Sequence, residues 1–158
     1  MAQLINKSDF IGIVKMSVNI PDTDVDFHCL DAQRFDLFPI IPDALATALQ
    51  GTMGTQLQAF FNNYVKGFLV CKAHARLLLW QGNNVTQFGL VTNREDTSAP
   101  ISDKQRAELI QSSEHKANVY LAQMTKAMKD ANYTFDSVSY EYAACAEKPK
   151  VKPKFFAV

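Results

Sequence analysis

The chain has 158 residues, 47% of them hydrophobic, which is enough for one ordinary domain to build a core without disulfides or metal. Sixteen basic and sixteen acidic side chains cancel, so no global field drives non-specific binding to nucleic acid or membrane, and any DNA contact has to be local. No stretch reaches the roughly 18 uninterrupted apolar residues of a membrane span, and MAQLINKSDF lacks the basic start and apolar run of a leader. The expectation is therefore a chain made in the cytoplasm, without a membrane partner.

In chain order, Ser8 followed by Asp9 to Met16 reads as a capped short helix with Phe10, Ile13 and Val14 on one face. Thr23 then opens a capping box with Asp26, and Val25, Cys29, Leu30, Phe35 and Leu37 recur at near-helical spacing up to Pro39, predicting a second helix over about 23–38. Pro42-Asp43 opens a third through Leu45, Ala48 and Leu49, which Gly51 and Gly54 end. From Leu57 to Trp80 the sequence is apolar nearly all round, the mark of a buried central helix.

Gly82 to Ile101 interrupts the helical pattern, with Val85, Phe88, Leu90 and Val91 in loose alternation and a run of turn formers at Asp96 to Pro100. Ser102 and Gln105 form the capping box of a last long helix. Its stripe of Ile110, Ser113, Ala117, Tyr120, Leu121, Met124, Met128 and Ala131 is narrow, so one side packs and the other meets solvent or neighbours. Tyr133 to Tyr142 favours strand, with Tyr140 and Tyr142 on one face. The end, EKPKVKPKFFAV, alternates Lys with Pro or Val and reads as an extended tail, mobile until something binds it.

The fold class that follows is mainly all-α: a helical bundle around a buried central helix, a strand-like arm or hairpin between the last two long helices, and an extended C-terminal segment. Residues 1–131, with the 82–101 arm, form the helical domain, and 132–158 form the strand-like and basic tail.

Chemistry-bearing residues are sparse. Cys71 and His74 share a helix face, but two ligands do not close a zinc site and no second paired motif accompanies them. His28 and Cys29 point to different faces of their helix, and His115 beside Glu114 reads as solvated. Cys29, Cys71 and Cys145 are odd in number and far apart, which suits reduced buried thiols, and burial disfavours a Cys71 thiolate nucleophile. Asp22, Asp24 and Asp26 lack the glycine turn and distal Glu of a calcium loop, and suit a helix start. No glycine-rich phosphate loop exists. The expectation is a protein that is not an enzyme and carries no cofactor or metal.

Two features exceed the needs of a self-contained helical domain. The arm puts Val85, Phe88, Leu90 and Val91 on a long connection, and the tail strings Lys148, Lys150, Lys152 and Lys154 before Phe155-Phe156. A small hairpin folded on its own helices and a solubilising end are the plainer accounts of each.

Together the pieces resemble the head–tail connector adaptors of tailed bacteriophages, which form a ring beneath the portal, in the versions found in phages and prophages of Bacteroidetes, including crAss-like phages. Leu4-Ile5-Asn6-Lys7-Ser8-Asp9-Phe10 is similar to the family's opening helix start, and Asp22-Thr23-Asp24 through Asp31-Ala32-Gln33-Arg34-Phe35-Asp36-Leu37 to its second helix. Ala75-Arg76-Leu77-Leu78-Leu79-Trp80 with Asn84-Val85-Thr86-Gln87-Phe88-Gly89-Leu90-Val91 resembles a long helix followed by a T-x-x-G-hydrophobic-V segment, and Tyr120-Leu121 fits the last helix. The likeness covers about 4–131, and the tail departs from it.

The resemblance implies a virion protein at the head–tail connector, forming a homo-oligomeric, dodecameric ring on the portal protein and meeting neighbouring ring or tail proteins. Thr86, Phe88, Gly89, Leu90 and Val91 are then the expected subunit or portal contacts, by addition of strand to a neighbour. Lys148, Lys150, Lys152, Lys154, Phe155 and Phe156 are expected to dock on the next ring or to lie near packaged DNA. The alternative is a non-catalytic helical protein-binding or regulatory module of a bacterium, holding a peptide or helix beside the last helix. A metal enzyme using His74 and Cys71 is a distant third.

Overall fold

The computed structural model describes residues 2–16, 19–80, 84–86, 89–91, 102–130, 134–135 and 138–139. Two long helical rods make its frame. One begins with α3 (Thr55–Phe60), continues through a π-helical stretch at Phe61–Val65 and ends with α4 (Lys66–Trp80). The other is α5 (Asp103–Asp130). Lys72 pairs with Glu114, His74 meets Ser113 and Gly67 lies against Tyr120, so rising numbers in α4 face falling numbers in α5, and the rods are antiparallel.

A second layer crosses α4 on its other side. It is built from α1 (Asp22–Asp31), a π-helical continuation at Ala32–Leu37 and a 3-10 turn at Phe38–Ile40. The short α2 (Asp43–Gln50) adds Leu45 and Leu49 to the same core. Covered on both sides, α4 buries Phe68, Leu69, Val70, Cys71 and Ala73 almost completely, which is why a helix without a polar face is stable there. The protein is thus mostly helical around a buried central helix.

The N-terminal segment is held by one buried amide. Gln33 Oε1 accepts the Leu4 N–H at 3.1 Å and its Nε2 donates to the Ala2 carbonyl at 2.9 Å. A side chain thereby supplies both bonds of a missing strand neighbour, and Ile5 enters the core. Lys66–Asp9 at 3.0 Å and Lys7–Asp22 at 2.8 Å tie the same segment to α4 and α1.

The arm positions form a two-stranded antiparallel pair, β1 (Asn84–Thr86) with β2 (Gly89–Val91), Thr86 opposite Gly89 and Asn84 opposite Val91. After α5, β3 (Thr134–Phe135) pairs with β4 (Val138–Ser139) in the same sense.

Several local expectations are corrected. Asn6, not Ser8, caps the first turn, because its side chain accepts the Ser8 N–H while Asp9 accepts the Asn6 N–H, both at 2.9 Å. That 3-10 helix stops at Phe10, since Gly12 takes φ 83, and Ile13 and Val14 are only half-buried. Nor does Thr23 cap α1: the helix starts at Asp22 after Pro21, and Asp26 instead accepts the Gln3 amide at 2.7 Å. His28 and Cys29, neighbours on α1, are both buried.

Phe35, expected in the core, is 64% exposed, while Gln33 takes a buried place. The π turn carries one residue more per turn than an α-helix and rotates the faces beyond it. Gly54 does not end a helix but precedes the first residue of α3. The Ser102–Gln105 capping box is present: the Gln105 N–H donates to Ser102 Oγ at 3.2 Å and the Ser102 N–H to Gln105 Oε1 at 3.1 Å. Ser113, Ala117, Met124 and Met128 are buried as the stripe requires, and Ala131 lies outside the described residues.

Candidate functional site

Of the expected contact residues, Thr86, Gly89, Leu90 and Val91 lie on β1 and β2, brought together by the antiparallel register. Phe88 lies outside the described residues, as do Lys148, Lys150, Lys152, Lys154, Phe155 and Phe156.

What the periodicity of the sequence missed is an aromatic face at the root of the arm. Phe27 (56% exposed) and Phe35 come from the α1 layer, and Leu79 and Trp80 (each 55% exposed) end α4. The His28 ring centre is 5.3 Å from Phe27 and 6.3 Å from Trp80, so α1 and α4 meet there ring on ring. One turn earlier in α4, the Arg76 guanidinium lies 5.8 Å from the Phe35 ring centre and pairs with Asp36 at 2.9 Å. Phe27 and Trp80 thus meet through the His28 ring and Phe35 meets α4 through Arg76, and exposed hydrophobics that gather in this way mark contact surfaces. The signal in the sequence was Trp80 immediately before Gln81-Gly82-Asn83-Asn84, where the cover of the helix layers runs out.

His28 is buried under this face. Burial holds its imidazole below the usual 6.5, against the pull of Asp31 and Asp24, with Arg76 adding to the lowering. Its Nδ1 has no hydrogen-bond partner among the described residues.

The other titratable groups of the interior are structural. His74 Nδ1 is 2.9 Å from Ser113 Oγ, whose hydroxyl also lies 3.0 Å from the Leu109 carbonyl. Burial lowers the pKa of His74, opposed by its hydrogen bond to the Lys15 backbone, and Lys116 lowers it further. The ring therefore joins α4, α5 and the N-terminal segment. Burial pushes the Cys71 thiol up to about 11 and Cys29 up to about 12, the latter with help from Asp26 and Asp9, so neither is a ready nucleophile. Among the described residues no group of three or more His, Cys, Asp or Glu could hold a metal. Cys145 lies outside them.

The class defined by these features is a mostly helical chain built around a buried central helix. The chain belongs to DUF6712, a family of unknown function, whose pattern it matches over residues 37–148, from the end of the first π turn through the arm and α5 to the start of the lysine tail. No curated protein and no solved structure matches it.

Proposed function

We propose that this chain is a structural subunit of the ring that joins the capsid portal of a tailed bacteriophage to its tail, without catalysis. The observation that carries the reading is the strand pair Asn84–Thr86 with Gly89–Val91, which comes between the two long helical rods in sequence and follows the exposed Leu79 and Trp80. A short strand pair offers its outer edges to a neighbour, and an apolar face at its base gives that neighbour area to bury. One such contact repeated by rotation closes a ring. The portal, adjoining ring or tail proteins and a local stretch of packaged DNA are its partners, in the virion.

Light scattering with negative-stain imaging, on the chain alone and mixed with the portal protein, tests this. Rings, or a portal particle gaining a layer of density, support the reading; a stable monomer that ignores the portal overturns it.

A further inference from the structure

α5 packs by one side only. Ser113, Ala117, Met124 and Met128 are buried against the rest of the chain, while Glu108, Ser112, His115, Val119, Ala122 and Lys126 are exposed. Those six follow at alternating spacings of four and three, which keeps them on one outer stripe for about five turns. Val119, 44% exposed, is the large hydrophobic on the stripe, and Leu109 flanks it. Neither Glu108 nor Lys126 makes an ion pair among the described residues.

The order of residues along the stripe is complementary to itself. Glu108 and Lys126 lie nine residues to either side of Ala117, Ser112 and Ala122 five, and His115 and Val119 two. A second α5 laid antiparallel, with a two-fold axis level with Ala117, therefore sets Glu108 against Lys126, Ser112 against Ala122 and His115 against Val119, each of them twice. The stripe alternates the a and d positions of a heptad, and antiparallel helices set a against d. All three pairings do so, with Ser112, Val119 and Lys126 at a and Ala122, His115 and Glu108 at d.

We propose that this stripe is the contact surface for a second copy of the chain, paired antiparallel through α5. Charge selects the orientation: a parallel pair in register sets Glu108 on Glu108 and Lys126 on Lys126, whereas the antiparallel pair matches opposite charges at both ends. The same charges select the occupant, because a face whose acid and base exchange places under a two-fold rotation fits itself. Ser112 and Ala122 are short, so the helices approach closely enough for Val119 to cover the His115 ring of the other copy. Lys116, at the edge of the stripe beside the axis, comes near its own counterpart and subtracts from the attraction. With one large hydrophobic per copy the pair is weak, with a dissociation constant on the order of 100 µM. It closes at two copies, so it goes beyond the connector reading and does not rest on it, since a ring grows by heterologous contacts.

Disulfide exchange reads the register directly. Cys29 and Cys71 are buried, so in a Cys145→Ser background a cysteine placed on the stripe is the accessible thiol. Chains with Ser112→Cys and Ala122→Cys, mixed at about 200 µM in a glutathione buffer, are expected to join each other at least about fivefold more than either joins itself. Like positions lie ten residues, or about 15 Å, apart along the pair, beyond the reach of a disulfide. Light scattering of the wild-type chain without portal, from about 10 µM to 1 mM, is expected to show mass rising from one copy towards two and no further. Glu108→Lys weakens this pairing about three- to tenfold, Lys126→Glu does the same, and the chain carrying both exchanges pairs as the wild type does.

A mass that stays at one copy up to about 1 mM overturns the pairing. Cross-links that form equally in every mixture, or Ser112→Cys joining itself in preference, overturn the antiparallel register. Association that Glu108→Lys leaves unchanged belongs to another surface and overturns the site. Portal binding measured on the same samples separates this contact from the connector reading: pairing with a portal that is ignored upholds the contact and discards the connector, and a portal layer built from a chain that never pairs does the reverse.

Discussion

At Gly67, where α4 packs on α5, a methyl group would overlap the Tyr120 ring. Two effects oppose each other in Gly67→Ala: alanine is the better helix former by about 1 kcal/mol, and overpacking a tight interface costs about 1–3 kcal/mol. Overlap with a ring held by two rods wins, so the substitution is expected to lower the urea midpoint, and Tyr120→Leu in the same chain should recover part of the loss. A stabilised Gly67→Ala protein would show the contact to be loose. Gln33→Leu strands the Leu4 N–H and the Ala2 carbonyl at about 1–3 kcal/mol each, seen as faster amide exchange over residues 2–10 along with lower stability.

The buried histidines and cysteines set a pH dependence at the same scale. His28 and His74 both titrate below 6.5 in the folded chain, so between their folded pKa and 6.5 the unfolded state binds more protons. The stability is thus fully present above pH 6.5 and is lost as pH falls below it through the folded pKa values. At the alkaline end Cys29 and Cys71 are raised from 9.0 to about 12 and about 11, so the folded state holds protons that the unfolded state releases, and stability falls as pH rises above 9. Urea titrations from pH 5 to 10 should trace a plateau between these limits. Cys71→Ser leaves a buried hydroxyl and lowers the plateau without altering assembly.

Among the described elements two π turns occur, Ala32–Leu37 in the layer that packs on α4 and Phe61–Val65 within the central rod itself. The first turns Phe35 outward onto Arg76 and Gln33 inward onto the N-terminal segment, so the extra residue per turn supplies one of the four exposed hydrophobics. α5 depends on its start: Ser102→Ala removes an acceptor of the Gln105 N–H and should cost about 1 kcal/mol, measured as a lower melting temperature with unchanged helix content at 25 °C. On the arm, Phe88→Asp with Val91→Asp is expected to leave the isolated subunit folded and to block assembly on the portal. Loss of helical circular dichroism would instead put these residues in the core of the subunit.

For the whole molecule, the balance of charge sets what acts over distance. With equal numbers of acids and bases, no net charge draws the chain to DNA over long range, and the lysine-rich tail matters as a local feature. Deleting residues 148–158 should leave the melting temperature of the dilute subunit nearly unchanged. A large fall in melting temperature would show Phe155 and Phe156 packing on their own subunit.

The sequence by itself determined the helical class, the buried central helix and the Ser102 cap, because apolar periodicity and capping are local and each needs only a window of residues. It also marked Cys71 as a buried thiol. Only the tertiary structure decided that Gln33 is a clamp and that Phe35 is exposed, as are Phe27, Leu79 and Trp80. Those outcomes depend on a π turn whose register is set by packing against α4, and on where the cover of one layer ends over another. A one-dimensional pattern holds the faces of a helix, but which of them is left open depends on the neighbours that the fold supplies.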